Sequence, residues 1–317
     1  MSKLWKIIGI VAAVGAIFVG AGLALGANTG GISWSRRGGF SVGSSELLHV
    51  HYNNLGTFEN ISVNVSSTNV RIVEADYFGF EARYRSGSNL RYSVENGTLT
   101  ITQDRFSVSQ ITFFGFGDWE SSHITIFIPR SAVLNDVNIQ VTSGRITIDR
   151  LDCDNLTARS SSGSVTVNNL TSNTAHIRAT SGRATISNAT VHSSLGIRAS
   201  SGSVSVTNAV TNFLELQTSS GRISASRIEA NGLSAEASSG SINLSGVLNG
   251  TTNVRTSSGR VTLNVDGARD DFNINTSVSS GRVRIDGQRG VAIISNNADN
   301  TITARASSGN IDINFTR

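Results

Sequence analysis

Thr142-Ser-Gly-Arg-Ile-Thr-Ile148, Ser161-Ser-Gly-Ser-Val-Thr-Val167 and Thr180-Ser-Gly-Arg-Ala-Thr-Ile186 are successive copies of one phrase. Its glycine recurs at Gly144, Gly163, Gly182, Gly202, Gly221, Gly240, Gly259, Gly281 and Gly309, at intervals of 19, 19, 20, 19, 19, 19, 22 and 28 residues. A period that survives so many intervals marks a repeat architecture. Before the glycine, apolar residues alternate with polar ones, as in Leu156 and Ala158, Ala175 and Ile177, Leu195 and Ile197, Leu214 and Leu216. After it the alternation resumes at the second and fourth positions: Ile146 and Ile148, Val165 and Val167, Val204 and Val206, Ile242 and Leu244, Val283 and Ile285. Both flanks read as strands with one face toward a core. The glycine suits a tight turn with positive φ, and the serines before it suit local bonds to backbone. A residue seven after it (Leu151, Leu170, Ala189, Ala209, Ile228, Val247) closes the unit.

Constant spacing separates a solenoid from a string of hairpins, because only stacked coils need the same residue at the same place. The small residues three before the glycine (Ser160, Ala179, Ala199, Thr218) fit a narrow interior. The expected fold is all-β, a parallel β-helix whose coils stack about 4.8 Å apart. The position after the glycine runs Arg145, Ser164, Arg183, Ser203, Arg222, Ser241, Arg260. Stacking would place those arginines roughly 10 Å apart, near the Debye length in physiological salt, whereas neighbouring coils would make them repel. Duplication of a two-coil unit would produce the same alternation. Arg145, Arg183, Arg222 and Arg260, with Arg159, Arg178 and Arg198 four before their glycines, are candidate contacts for an anionic polymer. Solubilising surface charge is the competing reading.

The chain has 317 residues, 32 of them glycine and one proline, with 15% charged residues and a net charge of +4. Its polar bulk is Ser, Thr and Asn, a composition of extended surface β-proteins more than of soluble enzymes. Lys3 and Lys6 are the only lysines, which removes lysine chemistry from the repeat and leaves a charge unlike that of a nucleic-acid binder. A single cysteine, Cys153, excludes an intramolecular disulfide.

Residues 1–6 read as a cytoplasmic N-terminus, and 7–26 as a membrane-spanning helix, an uncharged run of about the length a bilayer needs. Ala24-Leu25-Gly26 also resembles a signal-cleavage site, which would make the protein secreted. Ala12, Ala16, Gly20 and Ala24 recur every four residues and could pair two such helices. Long C-terminal domains translocate largely regardless of flanking charge, so the expected topology is a single pass with the repeat outside. Residues 27–45 read as a linker, 46–130 as diverged coils, and 131–317 as the regular solenoid. Within 46–130, Leu90, Tyr92 and Val94 precede Gly97 with Leu99 and Ile101 after it, and Ile61, Val63 and Val65 precede Thr68 with Val70 and Ile72 after it. The glycine-spaced aromatics Phe113, Phe114, Phe116 and Trp119 mark a loop that either caps the solenoid or meets lipid or a partner.

The Ser-Gly turns with paired strands, Val94-Glu-Asn-Gly-Thr-Leu99, and the strand ending Ile126-Phe-Ile-Pro129 together resemble the bacterial putative-adhesin family of β-strand-repeat domains, over residues 46–317. The membrane-anchored arrangement is similar to accessory proteins of Lia-type cell-envelope stress systems. That resemblance implies an envelope location, a sensing or signalling role, and no catalytic residues. Histidines His49 and His51 share a strand face without an evident third ligand, and Asp149, Asp152 and Asp154 lack the glycine-rich repeat of calcium-binding solenoids. No metal, cofactor or enzymatic activity is therefore expected. The functional expectation is a non-enzymatic envelope protein that displays its solenoid for adhesion, scaffolding or stress sensing. Its partners would be the membrane, an anionic cell-wall polymer or envelope-stress membrane proteins, with no nucleic acid. A regulatory partner of a stress-signalling complex and a carbohydrate-active β-helix enzyme are the alternatives.

Overall fold

The computed structural model describes residues 32–35, 39–42, 47–85, 89–103, 110–113, 122–290 and 292–317. Among them the chain is all-β apart from one short 3-10 turn, Arg269–Asp271. The expected membrane helix, 7–26, lies outside the described residues, and no described helix is long and apolar enough to cross a membrane.

Each regular coil has three strand segments and three corners. The segment before the glycine buries residues such as Leu156, Ala158 and Ser160, the segment after it Val165 and Val167, and a third buries Leu170 and Ser172. The alternating burial follows from the pleat, which sends successive side chains to opposite faces. Strands run straight through the two corners after the glycine, so that Val165–Ala179 is one continuous strand. It pairs in parallel with Ala184–Ala199 along its whole length.

The first corner needs glycine for a reason other than a left-handed backbone. A Cβ on Gly163 would lie 1.8 Å from the Gly144 carbonyl oxygen, and one on Gly202 would lie 1.7 Å from that of Gly182. The glycines thus form a column in which each backbone fills the space where its neighbour's side chain would be. Positive φ occurs at Gly259, Gly281 and Gly309, at 156°, 148° and 143°, but not from Gly144 to Gly240. Where the residue three before the glycine is Ser160 or Thr218, its buried hydroxyl donates to the glycine carbonyl of the preceding coil, at 2.9 and 3.0 Å. The same oxygen accepts from the amide of its own coil's glycine, so neither of these two hydroxyls is left unpaired.

The second corner does use left-handed backbone. Asn169, Asn188, Asn208 and Arg227, six after successive glycines, have φ between 52° and 55°. Asparagine tolerates that region better than most L-residues. Its amides also stack: Asn188 donates to Asn169 at 3.2 Å, and Asn208 to Asn188 at 2.9 Å. At the third corner a register shift between Val191 and Ser194 absorbs the extra residue of the 20-residue interval. The expected closing residue Val247 is instead exposed, because Gly246 pairs with Ile228 and Leu248 takes the inward place.

Both ends depart from chain order. At the C-terminal end, Asn300–Ser308 inserts between Ile242–Ser258 and Phe272–Ser280, and Ile311–Phe315 inserts between Val261–Val265 and Val283–Ile285. The stack therefore reads Gly259, Gly309, Gly281, which accounts for the irregular final intervals. At the N-terminal end, the coil formed by Asn60–Val65 and Asn69–Ala75 lies against Leu134–Val141 and Ile146–Ile148. Outside it lie Thr98–Gln103 and His123–Pro129. The expectation of a coil around Gly97 is corrected: Leu90–Glu95 and Thr98–Gln103 pair antiparallel, and Asn96-Gly97, with φ of 50° and 69°, is their hairpin turn. Leu47–Asn53 and Gly79–Arg85 add two further antiparallel strands beyond His123–Pro129. Phe80, fully buried, meets Tyr52 and Tyr92 with ring centroids 5.2 and 4.8 Å away and plugs this end. Within the stretch expected as a linker, Ile32–Ser35 and Gly39–Val42 are strands, and Ile32–Ser35 pairs antiparallel with both Gly39–Val42 and Gln110–Phe113. Of the aromatic loop, Phe114, Phe116 and Trp119 lie outside the described residues, and Phe113 ends the strand Gln110–Phe113.

Candidate functional site

The row after the glycine corner is the most regular chemical feature of the surface. Backbone bonds link it coil to coil: Ile146 N–H to Ser164 carbonyl, Val165 to Arg183, Ala184 to Ser203, Val204 to Arg222, Ile223 to Ser241 and Ile242 to Arg260. The same ladder continues beyond the residues that the repeat spacing identifies. Val70 donates to the Arg145 carbonyl, Val261 to Asn310, and Ile311 to Arg282. In space the row is Asn69, Arg145, Ser164, Arg183, Ser203, Arg222, Ser241, Arg260, Asn310, Arg282. Alternation of a cation with a short polar residue is unbroken from end to end. In chain order Arg260 and Arg282 would be neighbours; insertion of the final coil puts Asn310 between them. Every arginine in the row is exposed and every serine or asparagine half-buried. The short side chains also serve the backbone, since Asn69 accepts from the Arg145 amide at 2.8 Å and Asn310 from the Arg282 amide at 3.1 Å.

Strand spacing sets the row's arginines about 9.6 Å apart, and the five from Arg145 to Arg282 span roughly 38 Å. Arg260 lies 3.9 Å from Asp312. Beside the row, two residues further along each coil, runs a second line with the hydroxyls of Thr147, Thr166, Thr185, Ser205 and Ser224. From Ser164 to Ser245 the outward residues of this strand face include no carboxylate. A groove of about 750 Å³ lies here, lined by Arg145, Thr147, Ser164, Thr166, Arg183 and Thr185 among others. Guanidinium forks flanked by hydroxyls recognise a carboxylate, sulfate or phosphate on a hydroxyl-bearing chain.

Arg159, Arg178 and Arg198 occupy the strand before the glycine, so the corner separates them from the row. They stack on consecutive coils, Arg159 against Arg178 and Arg178 against Arg198. Arg198 donates to Glu215 at 2.7 Å.

The remaining candidates are engaged elsewhere. Asp149 accepts from Arg71 Nε at 2.8 Å, and Asp152 lies 3.5 Å from Arg150. His49 and His51 both face Glu81, at 2.9 and 3.8 Å. Among the described residues no group of His, Cys, Asp and Glu could hold a metal ion. Burial, then the carboxylates of Asp154, Asp152 and Asp136, pushes the Cys153 thiol up to about 12. A thiol so protonated is a packing group, not a nucleophile.

Sequence periodicity missed Asn69, Arg282 and Asn310 because their neighbours in the row come from distant parts of the chain. It also missed the asparagine corner; the recurrence of Asn169, Asn188 and Asn208 six after a glycine was the signal available.

Residues 58–314 match the family described as Toastrack DUF4097. The chain is similar to the crystal structure of a putative adhesin from Bacteroides fragilis, at 14% identity and a TM-score of 0.47, over 85% of this chain and 98% of that one. It is also similar to a putative lipid binding protein from Parabacteroides distasonis, at 13% identity and a TM-score of 0.48, over 87% and 98%. No curated protein matches it.

Proposed function

The chain belongs to the Toastrack DUF4097 family, and from that premise we propose a non-enzymatic, membrane-anchored envelope protein whose arginine row holds an anionic, hydroxyl-rich envelope polymer. Adhesion or scaffolding is its work. One observation carries this reading: the cation alternation survives the change of chain order at the C-terminal end. Arg282 and Asn310 belong to coils whose glycines follow intervals of 22 and 28 residues in place of the regular 19, so simple duplication does not explain their placement. The row's spacing suits an extended polymer with one charge per repeat of about 9.6 Å. Each contact is weak alone, and the row multiplies them by effective concentration. The apolar run 7–26 supports the anchor, with the repeat on the outer side.

Salt-dependent retention of the full chain on immobilised anionic wall polymer tests the proposal. The variant with Arg145, Arg183, Arg222, Arg260 and Arg282 all replaced by serine should elute at much lower salt; unchanged elution overturns it. Protease shaving of intact cells, with a tag after Arg317, tests the topology. Release of the tag is expected, and protection until lysis would turn the repeat inward. The second reading, a regulatory partner of an envelope-stress complex acting through the anchor, draws on the small-residue spacing of Ala12, Ala16, Gly20 and Ala24. Replacing that helix with an unrelated span would abolish regulation and leave polymer retention intact.

A further inference from the structure

The two arginine sets obey opposite rules. Along the row after the glycine, two guanidiniums never occupy neighbouring coils. Four residues before the glycine, Arg159, Arg178 and Arg198 occupy three in succession, in direct register. Neighbouring strands lie about 4.8 Å apart, and like charges placed opposite one another across such a pair destabilise a sheet. Elsewhere on the surface close carboxylates offset charge, as Glu215 does for Arg198 and Asp149 for Arg71. Among the described residues, no carboxylate forms an ion pair with Arg159 or Arg178. Their outward neighbours carry no carboxylate: Gln140 lies on the coil beyond Arg159, Thr157 and His176 stand two residues before the arginines, and Thr180 stands two after Arg178. A groove of about 410 Å³ is lined by both arginines together with Asn64, Gln140, Thr142 and Thr180.

From this arrangement we infer that Arg159 and Arg178, with Arg198 beside them, form a discrete site for a terminal phosphate group. Each guanidinium presents a fork of donors that matches two oxygens of one anion, and forks one strand apart can close on the same tetrahedral centre. A phosphate dianion balances two cations. A carboxylate, with one charge, leaves the second guanidinium uncompensated. The Gln140 amide and the Thr142 and Thr180 hydroxyls supply neutral donors or acceptors at the margins. This site lies across the glycine corner from the row and does not depend on the polymer reading. Its spacing suits one compact group, whereas the row's suits a chain.

Thermal unfolding of the full chain with increasing inorganic phosphate, at constant ionic strength set with chloride, tests the site. A ligand that binds only the folded state stabilises it by RT ln(1 + [L]/Kd), so the unfolding temperature keeps rising with the logarithm of phosphate above Kd. Wild-type protein should show that rise, and Arg159→Gln and Arg178→Gln should each weaken the apparent affinity at least about tenfold, as expected for lost charged hydrogen bonds. Without phosphate, Arg178→Gln should be as stable as wild type or more so, because one repelling charge is gone. The five-serine row variant should keep the phosphate response, which separates failure of this site from failure of the polymer reading. A polymer bearing only phosphodiesters and a polymer ending in a phosphomonoester form the second arm; preference for the monoester end places the group on a chain terminus, and equal weakness of both places it on a small molecule. A phosphate response unchanged in Arg178→Gln, or no rise in wild type beyond that in chloride at the same ionic strength, overturns the inference.

Discussion

The middle coils and the two ends solve different problems with the same strands. From Gly144 to Gly259 the coil that follows in sequence is the coil that stacks next, and every turn repeats its predecessor. At both ends the chain overshoots, builds an outer layer and returns or departs through an inner one. A parallel stack left open would expose unpaired amides and carbonyls, a template for another chain. The N-terminal end closes with antiparallel strands and an aromatic plug, and the C-terminal end with the hairpin pairing of Val283–Ile285 with Gln288–Arg289. The middle is held by repetition and the ends by contacts between residues far apart in sequence, such as Val70 with Arg145.

Removing residues 299–317 should break this contrast most severely. Ile302, Ala304, Ile311 and Ile313, all fully buried, would vanish from between two coils. Because solenoid stability is a sum of neighbour interfaces, limited proteolysis should digest the chain from about residue 266 onward while the coils before it persist. Digestion of the whole repeat would show that the ends govern the middle. Next in size is Gly202→Ala. Its Cβ would meet backbone, not a yielding side chain, and urea unfolding should show a loss of about 3 kcal/mol or more. Gly97→Ala, in a hairpin turn with nothing within 4 Å, should lose only about 1–2 kcal/mol for its left-handed backbone.

Two substitutions should sharpen the regularity of the middle. Ser172 stacks between Cys153 and Val191, and its buried hydroxyl lacks a partner. Ser172→Ala should therefore stabilise by about 1 kcal/mol in the same unfolding assay. Arg227 occupies the left-handed corner that asparagine fills in the three preceding coils. Arg227→Asn, which can extend the amide stack from Asn208, should stabilise by about 0.5 kcal/mol. A difference confined to alkaline pH is expected at Cys153. Burial raises its thiol from 9.0 to about 12, so the folded state holds the proton more tightly than the unfolded state. Its contribution is full below pH 9 and is lost as pH rises toward about 12. Alkaline unfolding of wild type and Cys153→Ala should diverge in that window, with wild type losing more; parallel curves would count against the burial argument.

Much of this was legible beforehand. The constant interval predicts stacking, the alternation predicts which residues turn inward, and the residue after the glycine reveals the arginine row. The same reasoning assigned the glycine to positive φ, whereas from Gly144 to Gly240 it is the carbonyl of the neighbouring coil that excludes a side chain. It also took the apolar flanks of Gly97 for a coil. Alternation is common to parallel and antiparallel strands, and an Asn-Gly turn between two short strands satisfies a hairpin equally well.

By itself, the amino-acid sequence determined the all-β repeat, the inward and outward faces and the regular part of the cation row. These follow from periodicity, which is local and is written in consecutive residues. Tertiary structure alone decided the order of the coils at the ends, the joining of Asn69, Arg282 and Asn310 to the row, and the direct stacking of Arg159 on Arg178 with no carboxylate between them. Each depends on which strand edge a returning segment finds free, and hydrogen-bonding edges are alike in every coil. Only the assembled stack distinguishes one from another.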